Sequence, residues 1–299
     1  MFVRHILIAS AAMILSTIPA SAGPIVYVVT GFQQFGTVDL STGAFTQIGA
    51  DTPEGEDGLV PGLNGSLLTL TYSGNLDSIN PSTGVTSLIG ATGLADCSNF
   101  PPVSPCGPTS ADELAGLGGK IYATDFSNNL YSVNPLTGAA TLIGPTGIPA
   151  VPAIPGTSNP DGTFDSFDES LFSAGGDLYA TFDAITINPS PFAVTPVISP
   201  DLYEISPTTG QATLIGPTAL TIGAVVGVDG TFYAFNNMAG EVETLNLANG
   251  DTTAISNFPP DGGLLVQGAT PTPEPASFML ICGGLLVAVG GRKLVPRRR

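Results

Sequence analysis

Three stretches of this chain are close copies of one another: residues 76–90 (LDSINPSTGVTSLIG), 130–144 (LYSVNPLTGAATLIG) and 202–216 (LYEISPTTGQATLIG). Weaker copies stand before them at residues 38–49 (VDLSTGAFTQIG) and after them at residues 242–256 (VETLNLANGDTTAIS). Repetition of this kind limits the fold severely, because each copy must take the same local structure and bury its apolar side against a neighbouring copy. Each is an apolar, β-branched run, a turn rich in Asn, Pro, Thr and Gly, and a second β-branched run, which is how a β-hairpin reads. Proline at the second turn position presets φ and glycine supplies a left-handed residue, so Pro135 and Gly138 have separate mechanical tasks. Further strand candidates precede the hairpins at residues 25–30, 66–72, 120–125, 177–182 and 231–235.

The turn glycines 43, 84, 138, 210 and 250 are separated by 41, 54, 72 and 40 residues. The short spacings match a four-stranded propeller blade of about 40 to 50 residues. The long ones require insertions, supplied by Pro-, Gly- and Ser-rich residues 95–108 and 145–166. Short strands, many glycine turns and no helical period make the chain all-β. The reading is a β-propeller of about five blades, with a sixth accommodated if the 72-residue interval holds one. A solenoid or a sandwich fits the same hairpins, since a repeat does not fix closure. The pattern LYxxNPxTGxxTLIG is similar to repeats of exported bacterial propellers of the quinoprotein-like and YVTN kind, a likeness that carries over no functional residue.

Charge is distributed unevenly. Arg4 and His5 stand at one end, Arg292, Lys293, Arg297, Arg298 and Arg299 at the other, and Lys120 is the only base between them. All 24 acidic residues fall between Asp39 and Glu274, a stretch of formal charge −23 without His, Arg or Trp. Such a body offers no Ser-His-Asp or Cys-His nucleophile, no His-ligated zinc and no guanidinium clamp for phosphate. Nucleic acid is excluded as a partner, because backbone binding needs clustered Lys and Arg.

The ends read as addresses. Residues 1–22 have a basic start, an apolar run and Pro19-Ala20-Ser21-Ala22, the order of a secretory signal peptide removed on export. The propeller body then occupies residues 23–269 and a third segment residues 270–299. This last segment holds Pro273-Glu274-Pro275, an uncharged run at 276–291 and a terminal basic cluster. Sixteen helical residues are about 24 Å long, a marginal span that Leu294 and Val295 extend while Arg292 and Lys293 snorkel. The basic cluster would stay cytoplasmic and leave the acidic body outside. Pro273, Glu274 and Pro275, the apolar transmembrane helix and the basic stop cluster together resemble the PEP-CTERM sorting signal of Gram-negative bacteria. The resemblance implies an inner-membrane-anchored precursor, processed near Pro-Glu-Pro by an exosortase-type membrane peptidase and delivered to the cell surface or extracellular matrix. Its implied partners are that peptidase, the export machinery, the membrane and exopolysaccharide.

Cys97 and Cys106 bracket an inserted loop in an exported context, where a disulfide is the expected state. Cys282, in the apolar tail, reads as a membrane-buried thiol or an acylation point. The pairs Asp112-Glu113 and Asp168-Glu169 precede their Gly-Gly turns by six and seven residues, at matching places in two repeats. Together with Asp161 and Asp165, Asp168 and Glu169 read as one short acidic loop that could hold calcium, although not with EF-hand spacing. Two functions follow: a non-catalytic binding or structural propeller, or an extracellular carboxylate-based glycoside hydrolase acting on polysaccharide.

Overall fold

The computed structural model describes residues 23–94, 111–149, 164–189, 192–219, 221–258 and 264–273. Residues 1–22, read above as a signal peptide, Cys97, Cys106, Asp161, Glu274, Pro275, Cys282 and the basic cluster lie outside them. Among the described residues, strands follow one another without an intervening α-helix. They are β1 (Ile25–Thr30), β2 (Gln34–Asp39), β3 (Phe45–Gln47), β4 (Glu56–Pro61), β5 (Leu67–Thr71), β6 (Asn75–Ile79), β7 (Thr86–Ala91), β8 (Ala111–Leu117), β9 (Lys120–Asp125) and β10 (Asn129–Val133). The series continues with β11 (Ala140–Pro145), β12 (Phe164–Ala174), β13 (Asp177–Pro189), β14 (Phe192–Ile205), β15 (Ala212–Pro217), β16 (Ile222–Val228), β17 (Thr231–Asn236), β18 (Glu241–Leu245), β19 (Thr252–Asn257) and β20 (Val266–Pro271). Among the described residues, no helix is long and apolar enough to cross a membrane.

The strands form five antiparallel four-stranded sheets. Four are built from consecutive strands: β4 to β7, β8 to β11, β12 to β15 and β16 to β19. The remaining sheet has the order β20-β1-β2-β3, so the last strand of the fold pairs with the first. The inner strands touch in a cycle, β4 to β8 to β12 to β16 to β20 and back to β4. This is a closed five-bladed propeller, with β20 completing blade 1. The repeated hairpins are the two outer strands of each blade, and the turn glycines all have positive φ, Gly138 at +79°.

The 72-residue interval contains no sixth sheet among the described residues. Its length goes partly into β13 and β14, of 13 and 14 residues, which pair from Leu178 opposite Ile205 to Pro189 opposite Phe192.

Each hydrophobic core lies between two blades. Val26, Val28 and Val266 of blade 1 meet Phe235 and Val242 of blade 5; Leu68 and Leu76 of blade 2 meet Ile121 and Val133 of blade 3. Inner and second strands are therefore covered on both sides: all five residues of β5 are buried. A strand buried on both faces reads as a continuous apolar run and loses its alternation. Outer strands keep one wet face, so Leu88, Leu142 and Leu214 stand exposed at matching places on β7, β11 and β15.

Candidate functional site

Every inner strand runs in the same direction through the ring, from an upper end to a lower end. Toward the upper end three neighbouring blades carry acidic pairs: Glu56-Asp57 on β4, Asp112-Glu113 on β8 and Asp168-Glu169 on β12. Glu56, Asp57, Glu113 and Glu169 are buried. The lower end differs. There the five inner strands enclose a cavity of about 220 Å³ lined by Val60, Ala115, Phe172, Val226 and Pro271, one from each blade, and no titratable side chain borders it.

Blade 2 holds a strongly perturbed carboxyl. Glu56 is 2% exposed, and its Oε2 has no hydrogen-bond partner. Burial, reinforced by the negative charges of Asp77 and Glu54, pushes its pKa up to about 8, so it stays protonated at neutral pH. Asp77 is also raised, first by burial and then by Glu54. Glu54 itself faces the turn after β5, where it accepts from the Ser73 amide at 3.1 Å and from the Ser73 hydroxyl. Beside this turn the Tyr72 hydroxyl donates to Gln267 Oε1 of β20 at 2.9 Å, tying blade 2 to blade 1.

The last residue of the second strand is a buried polar group in blades 1, 2, 3 and 5: Thr30, Thr71, Asp125 and Asn236. Each accepts hydrogen bonds from the turn that follows it, as Ser, Thr, Asp and Asn do when they cap turns. Asp125 is the most heavily bonded, taking the Ser127 and Asn129 amides at 3.0 and 2.9 Å and the Tyr131 hydroxyl at 2.9 Å. Burial and that bond to an anion push Tyr131 up to about 12.

In blade 4 the corresponding place is taken by Phe182, opposite Asp201, and Asp183 follows it in a hairpin that runs on past both, so no turn amides are there to cap. Instead Asp183 Oδ2 accepts the Thr221 amide at the start of blade 5. Burial raises Asp183 to about 6, opposed by amide hydrogen bonds from Thr221 and Asp168. Thr221 has φ +57°, a strained conformation for a β-branched residue. Its hydroxyl donates to Asn236 Oδ1 at 3.3 Å and accepts the Met238 amide at 3.0 Å, while its carbonyl accepts the Asn237 amide at 2.9 Å. Asn236 in turn donates to Glu243 Oε1 at 2.9 Å. A polar chain thus links blade 4 to blade 5.

Of the residues singled out for calcium, Asp165, Asp168 and Glu169 fall on β12 opposite Thr186, Asp183 and Phe182, in a strand where the sequence suggested a loop. Asp168 and Glu169 are consecutive strand residues and face opposite sides. Among the described residues, no group of three or more His, Cys, Asp or Glu is arranged to hold a metal ion. Sequence reasoning missed Glu54, Glu56, Asp57 and Asp77. A signal for Glu56-Asp57 existed, since Asp57 stands seven residues before Asn64-Gly65, the turn equivalent to Gly118-Gly119. Nothing local marks Asp183 or Thr221.

No family model matches the chain, and no curated protein is similar to it. Solved structures are similar in backbone. A chain of a nidogen/laminin complex matches with 11% identity over 83% of this chain and 97% of that one, TM-score 0.48. A protein of unknown function from Bacteroides thetaiotaomicron VPI-5482 matches with 14% identity, TM-score 0.48, over 84% of this chain, which spans 60% of that protein's length. Virginiamycin B lyase from Staphylococcus aureus matches with 12% identity over 74% of this chain and 65% of the lyase, TM-score 0.36. The closed ring of five sheets, rather than these likenesses, defines the architecture.

Proposed function

We propose that this chain is an exported surface or matrix protein whose propeller acts as a non-catalytic binding or structural module, with the PEP-CTERM-like tail as its address. One observation supports the non-catalytic part most directly: two buried carboxylates, Asp125 and Asp183, accept hydrogen bonds from the scaffold. Asp125 caps its own turn and Asp183 secures the blade 4 to blade 5 junction. The address is carried by Pro273, Glu274 and Pro275 with the apolar run and basic cluster after them. Deleting residues 276–299 in the native host should release the body into the periplasm or medium. Finding the full-length chain in the cytosol would overturn the reading.

A second reading, a carboxylate-based glycoside hydrolase, is favoured by Glu56. A carboxyl that keeps its proton beside other acidic groups is what a general acid requires. Incubating the protein with host exopolysaccharide and measuring reducing ends decides between them. Turnover that is lost in Glu56→Gln, while the fold is kept, would replace the first reading with the second.

A further inference from the structure

Both ends of the fold leave the ring at the same place. The Thr272 hydroxyl donates to the Ile25 carbonyl at 2.8 Å, holding the C-terminal segment beside the start of β1 at the lower end. Pro271 shares the lower cavity with Val60 and Pro61, so the exit adjoins blade 2. Only residues 273–275 separate Thr272 from the apolar run that begins at Ala276. Four Cα steps reach at most about 14 Å. Whatever holds the apolar run therefore holds the lower end close to it.

Part of the surface presented there carries no acidic residue. The lower turns of blades 2 and 3 are residues 62–66, 80–85, 118–119 and 134–139, and they contain no acidic residue. Their tips are apolar and exposed: Leu63 at 55%, Val85 at 62% and Leu136 at 71%. A groove of about 320 Å³ between these blades is bordered by Leu63 and Pro135 and contains Lys120, the body's single base. Beside it, Ser66, Ser82 and Thr83 border a second, hydroxyl-lined groove. Apolar tips, hydroxyls and one cation on the lower face of blades 2 and 3 suit a lipid headgroup region, whereas the lower turns and strand ends of blades 1, 4 and 5 carry Asp39, Asp177, Asp229 and Asp251. Those aspartates would be repelled by anionic lipid, which favours contact through blades 2 and 3.

We propose that the lower face of blades 2 and 3, around the groove containing Lys120, lies against the bilayer that receives residues 276–291, so that the propeller rests on these two blades in the tail-bearing precursor. This rests on the anchoring reading above. It leaves the upper end, with the acidic pairs of β4, β8 and β12, facing away from the membrane and confines Pro273-Glu274-Pro275 to the gap between propeller and lipid.

The absence of tryptophan makes a direct test simple. A chain beginning at Gly23 contains the whole closed ring and the tail. Single tryptophans at Leu63→Trp and Leu136→Trp report the lower end, and Phe32→Trp and Met238→Trp the upper end. Strands of five or six residues put these ends roughly 17 to 20 Å apart. The variants are reconstituted into vesicles of phosphatidylcholine and phosphatidylglycerol carrying a headgroup nitroxide lipid, and their fluorescence is compared with that in unlabelled vesicles. The expected result is co-flotation of all four, with at least twofold quenching at Leu63→Trp and Leu136→Trp and little at the upper positions. Co-flotation with equal quenching at both ends overturns the docking but leaves the anchor intact. Failure to co-float overturns both.

Discussion

Gly90, near the end of the outer strand of blade 2, packs backbone to backbone on Gly138 in the turn of blade 3. A methyl group on Gly138 would come within 2.3 Å of the Gly90 carbonyl oxygen, and one on Gly90 within 2.2 Å of the Thr137 carbonyl oxygen. The same contact joins Gly49 to the turn at Gly84, Gly144 to Gly210, Gly216 to Gly250, and Asn257 to Gly43. The repeat ends in glycine because its last residue sits under the next repeat's turn. Its two glycines are thus two halves of one blade-to-blade joint.

This joint separates two effects that usually coincide. Gly138→Ala should suffer both from its φ of +79° and from the clash, and should cost well over 1 kcal/mol in urea unfolding. Gly90→Ala, with no positive φ, should be destabilising through the clash. Gly175→Ala, at φ +61° with open space around it, should cost only about 1 kcal/mol. A Gly138 variant no worse than the Gly175 variant would remove the joint from the account.

Glu56 sets a pH dependence of unusual sign. Its ordinary value of 4.5 is raised to about 8 in the fold, so between those values the native state holds a proton that the unfolded chain has lost. Stability from this group is present at the acidic side of the window and is lost as pH rises toward 8. Relative to Glu56→Gln, the wild type should lose up to about 1.4 kcal/mol of unfolding free energy per pH unit between pH 5 and 8. Parallel profiles for the two proteins would show that Glu56 does not titrate in that window.

Asp183 works in the same direction over a lower window, from 3.8 to about 6. Asp183→Ala should cost about 1 to 3 kcal/mol by leaving the amides of Thr221 and Asp168 without their acceptor in a buried site. Asp183→Asn keeps an acceptor oxygen and should cost less. Hydrogen exchange at Thr221 should accelerate in the alanine variant, and unchanged protection there would argue that the aspartate does not secure the blade 4 to blade 5 junction.

Closure by β20 predicts opposite outcomes for two truncations ten residues apart. A chain ending at Pro273 should melt within a few degrees of one that keeps the tail. A chain ending at Gly263 loses β20, including fully buried Val266, and leaves both β1 and the faces of β4 and β16 uncovered. It should lose its cooperative transition or associate through the open edge. A cooperative, monomeric melt of the shorter chain would contradict the ring.

The outer half of each blade was legible in the sequence because its structure is local. Turn chemistry places Pro135 and Gly138, and a single wet face leaves polar residues along β7, β11 and β15, so both the hairpins and their number could be read directly. The residue types missing from the body were also readable, because composition does not depend on the fold. The inner strands were not marked in the same way: β4 and β16 are covered on both sides by other blades, which erases the period-two signal.

What the tertiary structure alone decided is non-local. Pairing of Val26 with Pro271 joins the two ends of the body and makes the ring five-bladed, although no repeat in the chain encodes that contact. Burial by neighbouring blades, together with nearby carboxylates from other parts of blade 2, turns Glu56 from an ordinary carboxylate into a proton-holding group. Extension of one hairpin leaves the Asp183 side chain bonded to Thr221 of the next blade. Composition determines how much charge the chain carries, whereas pKa and polarity depend on what surrounds each charge, and in a ring those surroundings come from distant parts of the sequence.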